Sequence, residues 1–197
     1  MSRIRQAVLH DLPGVYRVCL LTGASGKDAT ALFKNPDLIG HVFVGPYVVG
    51  QPDLALVVAD DEGVAGYLLA VADTRRFEAW AEEHWWPALR EQYPLSDGKS
   101  PDDEMIRMLH APPRTPDAVV AAYPAHLHLD LLARMRGQGL GRVLVERTVA
   151  TLRARDIPAV HLDVAADNEN GIAFYRHLGF VELERKSDSI LMGMRLD

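Results

Sequence analysis

The stretch RMRGQGLGRVL, Arg134 to Leu144, sets Gly137, Gly139 and Gly141 between Arg136 and Arg142, just ahead of a run with helical periodicity. Where a strand gives way to a helix, several backbone N–H groups lack acceptors and can converge on an anion. Without Cβ atoms the chain lets a diphosphate approach closely, and guanidinium groups add charge-assisted contacts. Two other readings compete. A tight turn needs nothing more than these glycines, and a dinucleotide fingerprint needs GxGxxG with an acidic residue about 20 positions on. GQGLGR lacks the third glycine of that spacing, and neither Asp156 nor Asp163 restores it. Gly26-Lys27 makes a poor P-loop, because Asp28 follows where Ser or Thr is required.

The preceding segment, AHLHLDLL, carries the titratable groups. As a strand it sends His126, His128 and Asp130 to one face and Leu127, Leu129 and Leu131 to the other. Three ionisable side chains on a central strand are costly unless they are wet, paired or used. An imidazole also titrates near neutral pH, which suits proton transfer. A competing reading joins His126 and His128 to His161 and Asp163 of HLDV as ligands of a zinc-like cation. Strand alternation alone produces such pairs, however, and no HExxH or ordered cysteine set accompanies them.

The elements that must position these groups follow from periodicity and punctuation. IRQAVLH reads as a first strand, Asp11 as an N-cap and GVYRVCLL as a short helix. LALVVA and VAGYLLAVA, separated by DDEG, form a hairpin. Helical spacing from Phe77 to Leu89 includes Trp80, Trp85 and Trp86, which pack a core or wall a groove, and Pro87 should end or kink that helix. Residues 93–118 are a polar, Pro-rich excursion. Regularity returns with AHLHLDLL, a helix from about Leu140 to Leu152, the strand IPAVHLDVAAD and the helix ENGIAFYRHLG closed by Gly179. Strand, helix, strand predicts parallel pairing, and FVELERK with ILMGMRL can finish the sheet as an antiparallel pair.

Composition bounds the rest. The chain has 197 residues, 48% of them hydrophobic, enough for one domain spanning 1–197 with a sizeable core. The lone Cys19 forbids an internal disulfide and fits a reducing compartment. No apolar run approaches the roughly 20 residues of a membrane span, so a soluble, cytoplasmic protein without a membrane partner is expected. A net charge of -6 argues against a nucleic-acid partner. Its distribution is uneven: residues 51–104 hold 13 acidic and 4 basic side chains, whereas residues 105–157 hold 8 basic and 4 acidic, a stretch suited to a small anion.

Arg136-x-x-Gly139-x-Gly141 resembles the R/Q-x-x-G-x-G/A acyl-coenzyme A signature of the GNAT N-acetyltransferases, and it follows a strand and opens a helix as that family requires. NENGIAFYRHLGF is similar to the family's second signature, with Asn168, Gly171, Tyr175, Gly179 and Phe180 in register. The opening VCLLTGASGKDAT and the long excursion also resemble the acetyltransferase-like domain of eukaryotic protein O-GlcNAc hydrolases and its free-standing bacterial relatives.

The resemblance implies a mixed, mostly antiparallel α/β sheet of six or seven strands with helices on both faces, splayed between the fourth and fifth strands. It implies acetyl-CoA as co-substrate. The pyrophosphate would lie over Arg136, Gly137, Gln138, Gly139, Leu140, Gly141 and Arg142, the pantetheine arm beside Leu131, Leu132 and Ala133, and Asn168 against the arm. Ala133 stands where the family often has proline. The implied activity is acetyl transfer to a primary amine of a small molecule or basic peptide, with Tyr175 as acid toward the departing sulfur. Asp130 and His128 are the candidate bases, because an amine near pKa 10.4 must lose a proton to attack. The alternative is an acyl-CoA-binding or regulatory domain with little or no transferase activity. Acceptor identity and the choice between monomer and homodimer are open at this level.

Overall fold

In the computed structural model, which describes residues 2–196, seven strands form one sheet in the order β1-β2-β3-β4-β5-β7-β6. They are β1 (Arg3–Gln6), β2 (Ala55–Asp60), β3 (Gly63–Val71), β4 (Ala125–Leu131), β5 (Ala159–Ala165), β6 (Val181–Arg185) and β7 (Ser189–Arg195). The β2–β3 hairpin closes at Asp60↔Gly63. All neighbours are antiparallel except β4 and β5, whose parallel pairing consists of Ala125↔Val160 and His126↔His161. Beyond His126 the two strands part. The expected splay is therefore present, and β7 lies between β5 and β6.

On the β3 side, β4 pairs along its length, with Tyr67↔Asp130, Leu69↔His128 and Val71↔His126. Residues directly opposite share a face. This polar row lies under α1 (Leu12–Thr22), whose Thr22 and Cys19 reach Asp130 and Tyr67. Leu131 points to the other face, against Gly141 of α8 (Leu140–Arg153). Helices thus cover both faces. Asp11 precedes α1, but its carboxylate takes the Arg5 guanidinium at 2.5 and 2.7 Å and the Val8 N–H rather than capping that helix.

Two short helices, α2 (Leu38–Phe43) and α3 (Gly45–Gly50), fill a region whose Gly and Pro content hid them. The single helix expected across 77–89 is two, α4 (Thr74–His84) and α5 (Trp86–Gln92), with Pro87 in the first turn of α5, where its missing N–H costs nothing. The 93–118 excursion contains α6 (Pro101–His110), started by a Ser100–Asp103 capping box and anchored by buried Met105 and Leu109. The next helix, α7 (Asp117–Ala122), begins at its edge. Finally, α9 (Glu169–His177) follows β5. Among the described residues no helix is long and apolar enough to cross a membrane.

Candidate active site

The cradle is built at the junction of β4 and α8. Gly137 and Gly139 adopt φ of 72° and 74°, a left-handed conformation that side chains disfavour, and a Cβ on either would meet nothing within 4 Å. Backbone conformation demands these glycines, and open space lies before them. Gly141 is needed for a different reason: a Cβ there would come 3.0 Å from the Phe174 ring of α9. The N–H groups of residues 137–142 have no acceptor among the described residues. Six consecutive donors at the N-terminus of a 14-residue helix could hold an anion, with the helix dipole adding to their effect.

The two arginines are less free than the sequence suggests. Arg136 donates from Nε to Leu131 O at 2.9 Å and from Nη2 to Gly26 O at 2.7 Å. Arg142 pairs with Glu146 one turn along α8 at 2.9 Å. Gly26 belongs to a tight Ala24–Lys27 turn with Ser25 at φ 52°, and Ser25 Oγ donates to Asp167 Oδ1 at 2.6 Å. The turn therefore touches both arms of the splay. Asn168 caps α9, accepting from Gly171 N–H at 3.0 Å. Its Nδ2 makes no hydrogen bond among the described residues.

Along the splay, Leu132 N–H bonds Ala65 O at 2.9 Å, while Ala133 opens a short 3-10 turn whose carbonyl takes the Arg136 N–H. Gln138 turns its amide back to the Arg134 carbonyl at 2.7 Å, and Leu140 is the first residue of α8. Because β4 and β5 pair at only two positions, the β4 edge over residues 127–130 is open for an extended chain.

Tyr175 of α9 is buried between Phe174 and Phe180, with ring centroids 5.2 and 5.5 Å away. Its hydroxyl bonds to nothing among the described residues, yet it is not sealed from solvent. Burial, and secondarily the Asp130 charge, push its pKa up, so it stays protonated. Asp130 accepts from the Tyr67 hydroxyl at 2.6 Å. Burial raises its pKa to about 6 against the lowering effect of Tyr67, Thr22 and Arg136.

The histidines belong to a second network that sequence reasoning missed. Tyr47 of α3 places its hydroxyl 2.8 Å from His126 Nε2 and 2.9 Å from His128 Nε2. Thr74, first residue of α4, lies 2.8 Å from His126 Nδ1. Burial lowers His128 to about 4, with His161 adding to the effect, and holds His126 well below its ordinary value. His161 bonds the Tyr123 carbonyl at 2.8 Å. The described residues contain no group of three His, Cys, Asp or Glu arranged to hold a metal ion. The imidazoles instead find hydroxyl and carbonyl partners.

His126, His128 and His161 border a cavity of about 730 Å³ that is lined from both β4 and β5. Trp86 and the Pro112–Pro116 segment line it, so the excursion helps wall a groove, whereas Trp80 stacks on Phe77 and Trp85 donates to His41 O at 3.0 Å as packing.

Residues 34–180 match the acetyltransferase (GNAT) family. The chain belongs to that family. This GNAT chain superposes on the crystal structure of SsHAT with a TM-score of 0.92 at 36% identity, covering 100% of this chain and 98% of that one. It is 23% identical over 98% of its length to the Protein O-GlcNAcase of Rattus norvegicus, of whose length it spans 22%, about a fifth. The fold is also that of yncA, a putative acetyltransferase from Salmonella typhimurium solved with its cofactor acetyl-CoA: TM-score 0.56 and 16% identity, covering 100% of this chain and 94% of that one.

Proposed function

We propose that this GNAT chain transfers acetyl from acetyl-CoA to a primary amine of a small molecule or basic peptide. The observation that carries the reading is the run of six N–H donors at 137–142, next to the gap where β4 and β5 part, together with a Tyr175 hydroxyl that bonds to no described residue and feels the charge of Asp130 on β4. Bound acetyl-CoA supplies an activated acetyl thioester. The donors at 137–142 would hold its diphosphate, and the open edge of β4 that leads up to Leu131, Leu132 and Ala133 would align its arm, with Asn168 Nδ2 a further donor. Tyr175 would give its proton to the departing sulfur, and the cavity beside β4 would admit the amine. The cavity wall favours a cation slightly, since Glu78, Glu82, Asp163 and Glu184 face Arg75, Arg114 and Lys186.

One observation favours the second reading, a binding or regulatory domain. The Ala24–Lys27 turn holds Arg136 and Asp167 together, so the chain itself bridges the mouth of the splay. Release of free thiol from acetyl-CoA, followed across peptide, polyamine and small-amine panels, separates the two. Amine-dependent release is expected of the transferase; saturable acetyl-CoA binding with no transfer to any amine would favour the binding domain.

A further inference from the structure

The four side chains beside the cavity form a hydrogen-bonded chain whose direction can be assigned by counting protons. Thr74 Oγ1 lies 2.7 Å from Pro124 O and 2.8 Å from His126 Nδ1. A carbonyl only accepts, so the single hydroxyl hydrogen of Thr74 goes to Pro124, and Thr74 oxygen accepts from His126 Nδ1–H. A neutral imidazole carries one N–H, and burial keeps His126 neutral. Its Nε2 is therefore a lone pair, and the Tyr47 O–H, 2.8 Å away, donates to it. That uses the only hydrogen of the phenol. The 2.9 Å contact with His128 must then run the other way, from His128 Nε2–H to the Tyr47 oxygen.

What remains is the Nδ1 lone pair of His128. It makes no hydrogen bond among the described residues, is not closed off from solvent, and belongs to a side chain that borders the cavity. We infer that Thr74, His126 and Tyr47 are positioning residues that lock His128 in its Nε2–H tautomer, leaving Nδ1 to accept the proton of the acceptor amine. The proton-accepting role rests on the transferase reading above; the tautomer does not.

A C–N bond forms and the C–S bond breaks. Sulfur leaves with the electron pair and takes the Tyr175 hydroxyl proton, while the proton on nitrogen passes to His128 Nδ1. The phenolate and the imidazolium then reset by proton exchange with water. An imidazole lowered to about 4 is a poor base toward a free ammonium near 10.4. It is adequate once nitrogen has begun to bond to carbon, because that nitrogen becomes far more acidic. The amine must accordingly reach the cavity already neutral.

Imidazole 15N NMR of the ligand-free protein tests the lock, since two-bond couplings report which ring nitrogen is protonated. The expected pattern is Nδ1–H for His126 and Nε2–H for His128. Thr74→Val should mix both tautomers and lower kcat about tenfold with an unchanged KM for acetyl-CoA, and Thr74→Ser should restore both. Wild-type His128 protonated at Nδ1, or a Thr74→Val protein with both tautomers unaltered and full kcat, overturns the inference. Absence of amine-dependent transfer in the wild type refutes the transferase reading instead, so the two failures are distinguishable.

Discussion

Tyr67 donates its phenolic hydrogen to Asp130 across 2.6 Å, from the position directly opposite on β3. This one bond satisfies a carboxylate on a central strand, and it leaves Asp130 easier to protonate than an exposed aspartate because burial outweighs the donor, at about 6. An acid whose folded pKa lies above its unfolded value of 3.8 stabilises the fold most at low pH and loses that contribution as pH rises through 6. His126 and His128 act in the opposite sense: held below 6.5, they contribute fully above that value and lose it as pH falls toward 4. Burial lowers His41 and His161 in the same sense and raises Asp163 as it does Asp130, so four histidines outweigh two carboxylates and Tm should fall between pH 6.5 and 5. Asp130→Asn should steepen that fall and raise stability at pH 7 by about 1 kcal/mol, after allowing for solvent at the splay. Thermal melts across this range check it; a flat profile in the variant would contradict the assignment.

Tyr67→Phe removes the donor while leaving Asp130 in place. A buried acceptor that loses its partner costs about 1–3 kcal/mol. Denaturant unfolding should show that loss, and the Asp130 carboxyl should titrate higher than in the wild type by 13C NMR.

Gly139→Asp should abolish most acetyl-CoA binding, by adding both a strained φ and a carboxylate in front of the six N–H donors. Gly139→Ala isolates the first effect, with a stability cost of about 1 kcal/mol and a smaller loss of affinity. Calorimetric titration ranks the three proteins. Equal affinity of a folded Gly139→Asp protein would remove the cradle from the account.

Tyr175→Phe should lower kcat about 10²-fold and spare acetyl-CoA affinity, because the hydroxyl bonds to nothing else in the described chain. Turnover equal to wild type across the pH profile would exclude Tyr175 as the acid.

Ser25 and Asp167 bridge the mouth of the splay through one exposed hydrogen bond, worth about 1 kcal/mol. Asp167→Ala should speed both association and dissociation of acetyl-CoA several-fold with little change in Kd. Stopped-flow rates identical to wild type would show that the turn does not gate entry.

The second half of the chain was legible because its signals are local. AHLHLDLL alternates, the glycines mark the positive-φ corner, and helix and strand follow in the order that forces parallel pairing. The α2–α3 region was not legible, because its glycines serve contacts made far away in sequence: a Cβ on Gly50 would come 2.4 Å from the Trp80 ring, and one on Gly45 would come 2.5 Å from Trp85. Helix α6 carried a readable start signal, Ser100 with Asp103 three residues on, inside a segment dominated by proline. Tyr47 and Thr74 gave no local sign of their role. They meet His126 across 79 and 52 residues, and the only hint was that buried histidines on a central strand must have partners.

The central claim, that the run of donors from Gly137 to Arg142 holds the diphosphate of acetyl-CoA, is tested most directly by titrating acetyl-CoA into 15N-labelled protein. Saturable shifts largest at the amides of residues 137–142 are the predicted result. Absence of saturable change there, or shifts confined to the cavity between α4 and β4, would contradict it.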